Sequence, residues 1–317
     1  MTNHEAPSQN IEEQAEETRE KPEFVKKIES FDTQNLTPEQ IEFMTDTIQS
    51  YFINNFPVKA EHIKKLPDVI TIVNDEEYER LMRESDGEEV TDKLIKDTTG
   101  FYNSEKDKIY IKTNGERNAA VLFETMFHES LQYVSMQEDA GFNGFFKCNI
   151  DNQDFADNIT AGRVALIEGA TQAITFGCVY GDMGFDFDER RSMSYAAERE
   201  VTSLLFAPFS RDLFEHVYFE MPMEDLRVSI EDVFSDGTKN VKEEPTNVFA
   251  QSVANIGRAT ELLENAMIED DLEEYESITK DIKHALGFYL VALAHKQGIQ
   301  PTNEQIESCK EYIEPYL

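Results

Sequence analysis

The sequence predicts an α+β fold, with a small N-terminal sheet followed by a largely helical C-terminal part. Two features carry the sheet. One is the β-branched run "LPDVITIVND", which ends at Asp75; the other is the pair of alternating apolar runs around a polar turn in "TTGFYNSEKDKIYIKTNGE". The helices rest on a third, the apolar periodicity that runs almost unbroken from "SYAAEREVTSLLFAPF" onward.

Taken in order, residues 1–22 are polar and acidic, with too few apolar side chains to offset the entropy of ordering, and read as a disordered tail. Thr37, Pro38 and Gln40 supply a capping hydroxyl, a proline at the first helical position and a capping-box partner, so a helix is expected over about 38–53. The β-branched run, bounded by Pro67 and Asp75, reads as a buried strand. The "DEEYERLMRE" that follows reads as a helix with acidic residues against its N-terminal dipole. A β-hairpin is expected with strands at 99–103 and 108–112, then a helix over about 116–137, then a looser segment containing Gly141, Gly144, Asn149, Asp151 and Asn152. "ITAGRVALIEGATQAITFG" predicts a second apolar helix that stops near Gly177. Further helices are expected at roughly 194–207, 211–219, 223–233, 246–268, 272–296 and 303–315. The segment 236–247, "DGTKNVKEEPTN", reads as a linker between a domain at 23–235 and a helical region at 248–317.

The 317 residues are enough for one large or two ordinary domains. A net charge of −35 argues against nucleic acid or an anionic membrane surface as partner, because phosphates would be repelled. The longest apolar run, "ALGFYLVALA" at 285–294, is too short to span a bilayer and reads as a core helix. The start lacks the basic and apolar regions of a signal peptide. Cys148, Cys178 and Cys309 are odd in number and without metal-type spacing, which fits free thiols and a cytoplasmic protein.

The stretch with chemical potential is "AVLFETMFHESLQYVSMQ", residues 120–137. Phe123, Phe127, Leu131 and Val134 make an apolar stripe, while Glu124, His128 and Gln132 recur every four residues along an adjacent row. A His beside a Glu on an apolar helix is costly to bury without partners. The second helix offers a polar line of its own, Glu168, Gln172 and Thr175, with the small Gly169 and Ala170 allowing close approach. His128 and Glu168 could together hold a divalent metal, with Glu129 taking a proton from its bound water. The same residues also admit a buried, hydrogen-bonded polar pair.

The order of parts narrows the choice. A strand–helix start, the hairpin "GFYNSEKDKIYI", then "MFHESLQYV", "LIEGATQAIT" and "SYAAEREVTSLL" resembles the zincin metallopeptidases of the Glu-ligand, gluzincin-like kind, over about residues 68–233. The resemblance implies a sheet and hairpin packed on an active-site helix, with zinc as cofactor. It makes His128 the first metal ligand, Glu129 the general base and Glu168 the third ligand. It places Tyr195 near the metal or the oxyanion and gives Glu198 a supporting part. Gln132 stands where the second His ligand belongs, giving H-E-x-x-Q in place of H-E-x-x-H. A carboxamide oxygen is a poor substitute for imidazole on zinc, so weak or lost metal binding is expected. The expected function is a non-catalytic pseudopeptidase that binds or scaffolds a peptide or protein partner. An active metallopeptidase with a His-Gln-Glu site is the alternative, and an unrelated helical interaction protein is a third. His4, His62, His216, His284 and His295 lie outside the matched motifs. The stripe of Leu286, Tyr289, Leu290 and Leu293 suggests a packed helix in a supporting bundle.

Overall fold

The computed structural model describes residues 20–56, 63–86, 91–92, 95, 98–103, 105–113, 118–135 and 156–186, together with Arg199, Thr202, Tyr218, Phe219, Gly257 and Thr260. Those six isolated positions are helical. The body of the expected C-terminal helices lies outside the described residues, as do the linker at 236–247, the loose segment after 137, Tyr195, Glu198, Cys148, Cys309 and the five other histidines.

The described fold is mixed, with a small three-stranded sheet and a majority of helix. A short helix α1, Glu23–Glu29, opens it; the carbonyl of Pro22 accepts from the N–H groups of Val25 and Lys26 at 3.1 Å each. Only Val25 and Ile28 of α1 are buried, too short a pattern to announce a helix in the sequence. In α2, Pro38–Asn55, the expected capping box is formed: Thr37 Oγ1 accepts from the Gln40 N–H and Gln40 Oε1 accepts from the Thr37 N–H. Met44, Ile48 and Phe52 are its inward face. A single turn, α3 at Leu66–Val69, absorbs the front of the β-branched run, so strand β1 is only Ile70–Val73. Pro67 explains this, since it suits the first turn of a helix and has no N–H to give a ladder.

Helix α4, Asp75–Asp86, carries Asp75, Glu76 and Glu77 in its first turn, and Asn74 Oδ1 accepts from the Glu77 N–H at 2.9 Å. Strands β2, Gly100–Asn103, and β3, Lys108–Lys112, form the expected hairpin. Asp107 turns it with φ of 50°. Asn103 Oδ1 accepts from the Lys106 N–H, and Tyr102 donates to Asp107. The strand order is β1-β3-β2, with β1 parallel to β3 (Ile70 opposite Ile109) and β2 antiparallel to it (Phe101 opposite Tyr110).

Helix α5, Ala119–Ser135, begins where Asn118 Oδ1 caps the Val121 N–H. Every residue of α5 except Thr125 is buried, because the helix packs against β2, β3, α1, α2 and a second long helix, α6, Ala156–Phe176. Helix α6 ends at Phe176, just before Gly177 as the sequence suggests. The chain continues into a π-helical turn, Gly177–Asp182, in which the N–H of Met183 reaches back to Cys178 O at 2.9 Å. The reversal comes at Gly184, whose φ of +79° a side chain would resist. Among the described residues no helix is long and apolar enough to cross a membrane.

Aromatic rings fix α5 in place. Phe127 meets Phe52 edge to face at 4.8 Å and Tyr51 at 5.7 Å, while Phe123 stacks on Phe185 at 4.9 Å. Phe127→Ala is therefore expected to lower the unfolding free energy by about 3–5 kcal/mol in a urea titration. Ile53→Ala, at a side chain 47% exposed, should change it by less than about 0.5 kcal/mol.

Candidate functional site

The polar row of α5 and that of α6 face each other. Glu124, His128 and Gln132 lie on successive turns of α5, and Glu168 and Gln172 on successive turns of α6. Gly169 and Ala170 are both buried, but at about 100° per residue Ala170 falls on the side of α6 opposite Glu168 and Gln172. Thr175, read from the sequence as part of the same line, is buried, but its hydroxyl makes no hydrogen bond.

Three of the sequence-predicted residues converge on one point. His128 Nε2 lies 3.1 Å from Glu168 Oε2, Gln132 Nε2 lies 2.8 Å from the same oxygen, and Gln132 Nε2 is 3.2 Å from His128 Nε2. On its other side His128 Nδ1 is 2.8 Å from Gln172 Oε1. Gln172 Nε2 in turn donates to Glu124 Oε1 at 2.7 Å, and Tyr180, on the π-helical turn, donates to Glu124 Oε2 at 2.5 Å. Glu124 is thus a hydrogen-bond acceptor beneath the site. Glu168 is the member nearest solvent, with its side chain 18% exposed.

Burial is the largest single influence on the His128 ring and works against its charged form. The hydrogen bond and charge of Glu168, the charge of Glu129 and the Gln172 contact together outweigh it and raise the pKa. Charged, the ring donates Nε2–H to Glu168. Neutral, it accepts at Nε2 from the second N–H of Gln132. The carboxamide of Gln132 keeps the cluster closed in both states.

Glu129 is placed differently. It sits under the first residue of β2, so close that a Cβ on Gly100 would stand 2.7 Å from its Cγ and 2.9 Å from its Oε1. Its Oε2 is buried without a hydrogen-bond partner. Burial above all, with a further contribution from the Glu168 charge and against that of His128, pushes its carboxyl up to about 7.

Tyr180 and Tyr218 were not singled out by the sequence. Tyr218 OH is within 2.8 Å of Thr171 Oγ1 and donates weakly to Ser135 Oγ at 3.5 Å, bracing α6 against the end of α5. Its helix periodicity marks it only as apolar, and the reach of Tyr180 depends on the π-helical winding. Neither leaves a signal in the spacing. Tyr195, expected beside the site, lies outside the described residues.

Two expectations follow. Gly100→Ala should cost about 1–3 kcal/mol of stability by denaturant titration, because the new methyl must displace buried Glu129. In metal-free protein, folded Glu129 titrates near 7 against an ordinary 4.5. The native state therefore holds a proton that the unfolded chain has released, and stability falls as pH rises through that window. Glu129→Gln should be more stable than the wild type by up to about 3 kcal/mol above pH ~8, with the gap closing below about pH 4.5. Paired urea titrations across pH measure it.

No protein-family model, curated protein or solved structure matches this chain.

Proposed function

We propose that this chain is a zincin-like protein whose site does not hydrolyse peptides and instead serves as a binding or scaffold module for a peptide or protein partner. The observation that carries the reading is the Gln132 amide nitrogen, set 2.8 Å from Glu168 Oε2 and 3.2 Å from His128 Nε2. The sequence of parts supports the fold half of it: strand, hairpin, the His-Glu helix α5 and the Glu168 helix α6 follow in the order of that family. Among the described strands β2 pairs on one side only, and a free strand edge is a surface onto which an extended peptide can add.

The residues present do not fit zinc. The separations of 2.8, 3.1 and 3.2 Å approach the edge of about 3.3 Å expected of a tetrahedral site with bonds of about 2.0 Å. Yet the third corner is an amide nitrogen, whose lone pair is delocalised into the carbonyl and cannot bind a metal. Presenting the Gln132 oxygen instead would turn it toward the Glu168 carboxylate and forfeit the amide's hydrogen bonds, at about 1 kcal/mol each. Among the described residues no three His, Cys, Asp or Glu side chains are placed to hold a metal ion.

A second reading, an active metallohydrolase with a His128, Gln132 and Glu168 site, is favoured by one observation. Glu129 is buried with an unpartnered oxygen and a carboxyl pushed to about 7, the character of a general base.

Elemental analysis and zinc titration by calorimetry, on the wild type and Gln132→His, separate the two. The wild type should purify without stoichiometric zinc, and Gln132→His should bind it at least about tenfold more tightly. Near-stoichiometric zinc in the wild type would establish the metallohydrolase reading instead. A Gln132→His variant that folds yet gains no zinc affinity would sink the zincin-like assignment.

A further inference from the structure

The chain Tyr180–Glu124–Gln172–His128 has a direction built into it. Both oxygens of Glu124 accept, one from the Tyr180 hydroxyl at 2.5 Å and the other from the Gln172 amide at 2.7 Å. Because the Gln172 NH2 group is spent on Glu124, its oxygen must face the imidazole. An amide oxygen 2.8 Å from His128 Nδ1 can only accept. The proton is therefore fixed on Nδ1, and Nε2 is the nitrogen left to meet Gln132 and Glu168.

The winding of the backbone makes this possible. Tyr180 follows Gln172 by eight residues, and a regular α-helix would carry it about 80° around the axis from that face. Across Gly177–Asp182 the chain is π-helical, with more than four residues per turn, which cuts the offset to about 40° or less. The phenol then reaches the same buried carboxylate as Gln172. Glu124, Gln172 and His128 are all buried, whereas Tyr180 is partly exposed, so the π-helical turn forms the outer end of the chain.

We propose that Tyr180, placed by the π-helical turn, and Glu124 are positioning residues that select the Nδ1–H tautomer of His128 through Gln172 and so orient Nε2 into the site. The inference deepens the reading of His128, Gln132 and Glu168 as a preorganised cluster. It stands or falls apart from that reading's zinc test, because the tautomer is read on metal-free protein.

The experiment is a long-range 1H–15N correlation on the full chain labelled at histidine, at alkaline pH where the ring is neutral, with His128 assigned by the loss of its signals in His128→Gln. The wild type should show Nδ1 protonated and Nε2 unprotonated, as a single species. Glu124→Gln keeps the size of the side chain but lets it donate, so the Gln172 amide can turn over and the Nε2–H tautomer should appear. Tyr180→Phe, at the partly exposed end, removes one donor to Glu124 and should raise that form to at least about a tenth of the His128 signal. Wild-type protein in the Nε2–H form would overturn the proposal. So would a Tyr180→Phe variant that keeps one pure Nδ1–H species, whatever Glu124→Gln does. Loss of packing alone would lower the melting temperature without exchanging one nitrogen's proton for the other's.

Discussion

A row of polar side chains on a helix that is otherwise wrapped in apolar ones is the constraint from which the rest follows. Helix α5 is buried over nearly its whole circumference, yet carries Glu124, His128, Glu129 and Gln132. These groups are almost wholly withdrawn from water, and each would cost several kcal/mol if left alone. Helix α6 answers three of the four with Glu168 and Gln172, and the π-helical turn adds Tyr180. The contact of α5 with α6 and the π-helical turn that follows Phe176 both serve that satisfaction. Glu129 is the exception, and the missing side chain at Gly100 makes room for it without giving it a partner.

The apolar and polar rows of α5 could be read directly, since a period near four puts Glu124, His128 and Gln132 on one line whatever surrounds them. The capping box at Thr37 and the hairpin were legible for the same reason: their determinants lie within four residues of each other or alternate strictly. Convergence of Glu168 on His128 was legible as a pairing of two polar lines. The identity of the atoms that meet was not. Nothing in the spacing says that Gln132 turns its nitrogen inward or that Gln172 relays between an imidazole and a carboxylate. Those choices depend on the number of donors and acceptors gathered at one place in three dimensions.

One local reading changed for a physical reason, and one gained a continuation. Proline suits a helical first turn better than a strand, and Leu66–Val69 took that form, shortening β1. The α-helix does end beside Gly177, but the backbone goes on into a π-helical turn and the left-handed residue is Gly184. Backbone hydrogen bonds to Cys178 and Val179, with both side chains fully buried, hold the wider winding where a free end would fray.

The enclosure of α5 bears on how solvent can ever exchange with this interior. A helix in contact with both strands of the hairpin and with three other helices is enclosed on most sides, and amides so placed belong to the slowly exchanging class. Helix α6 carries the partly exposed Glu168 and runs on into a winding held by its own hydrogen bonds, so the cluster has one wall wholly enclosed and one that borders solvent.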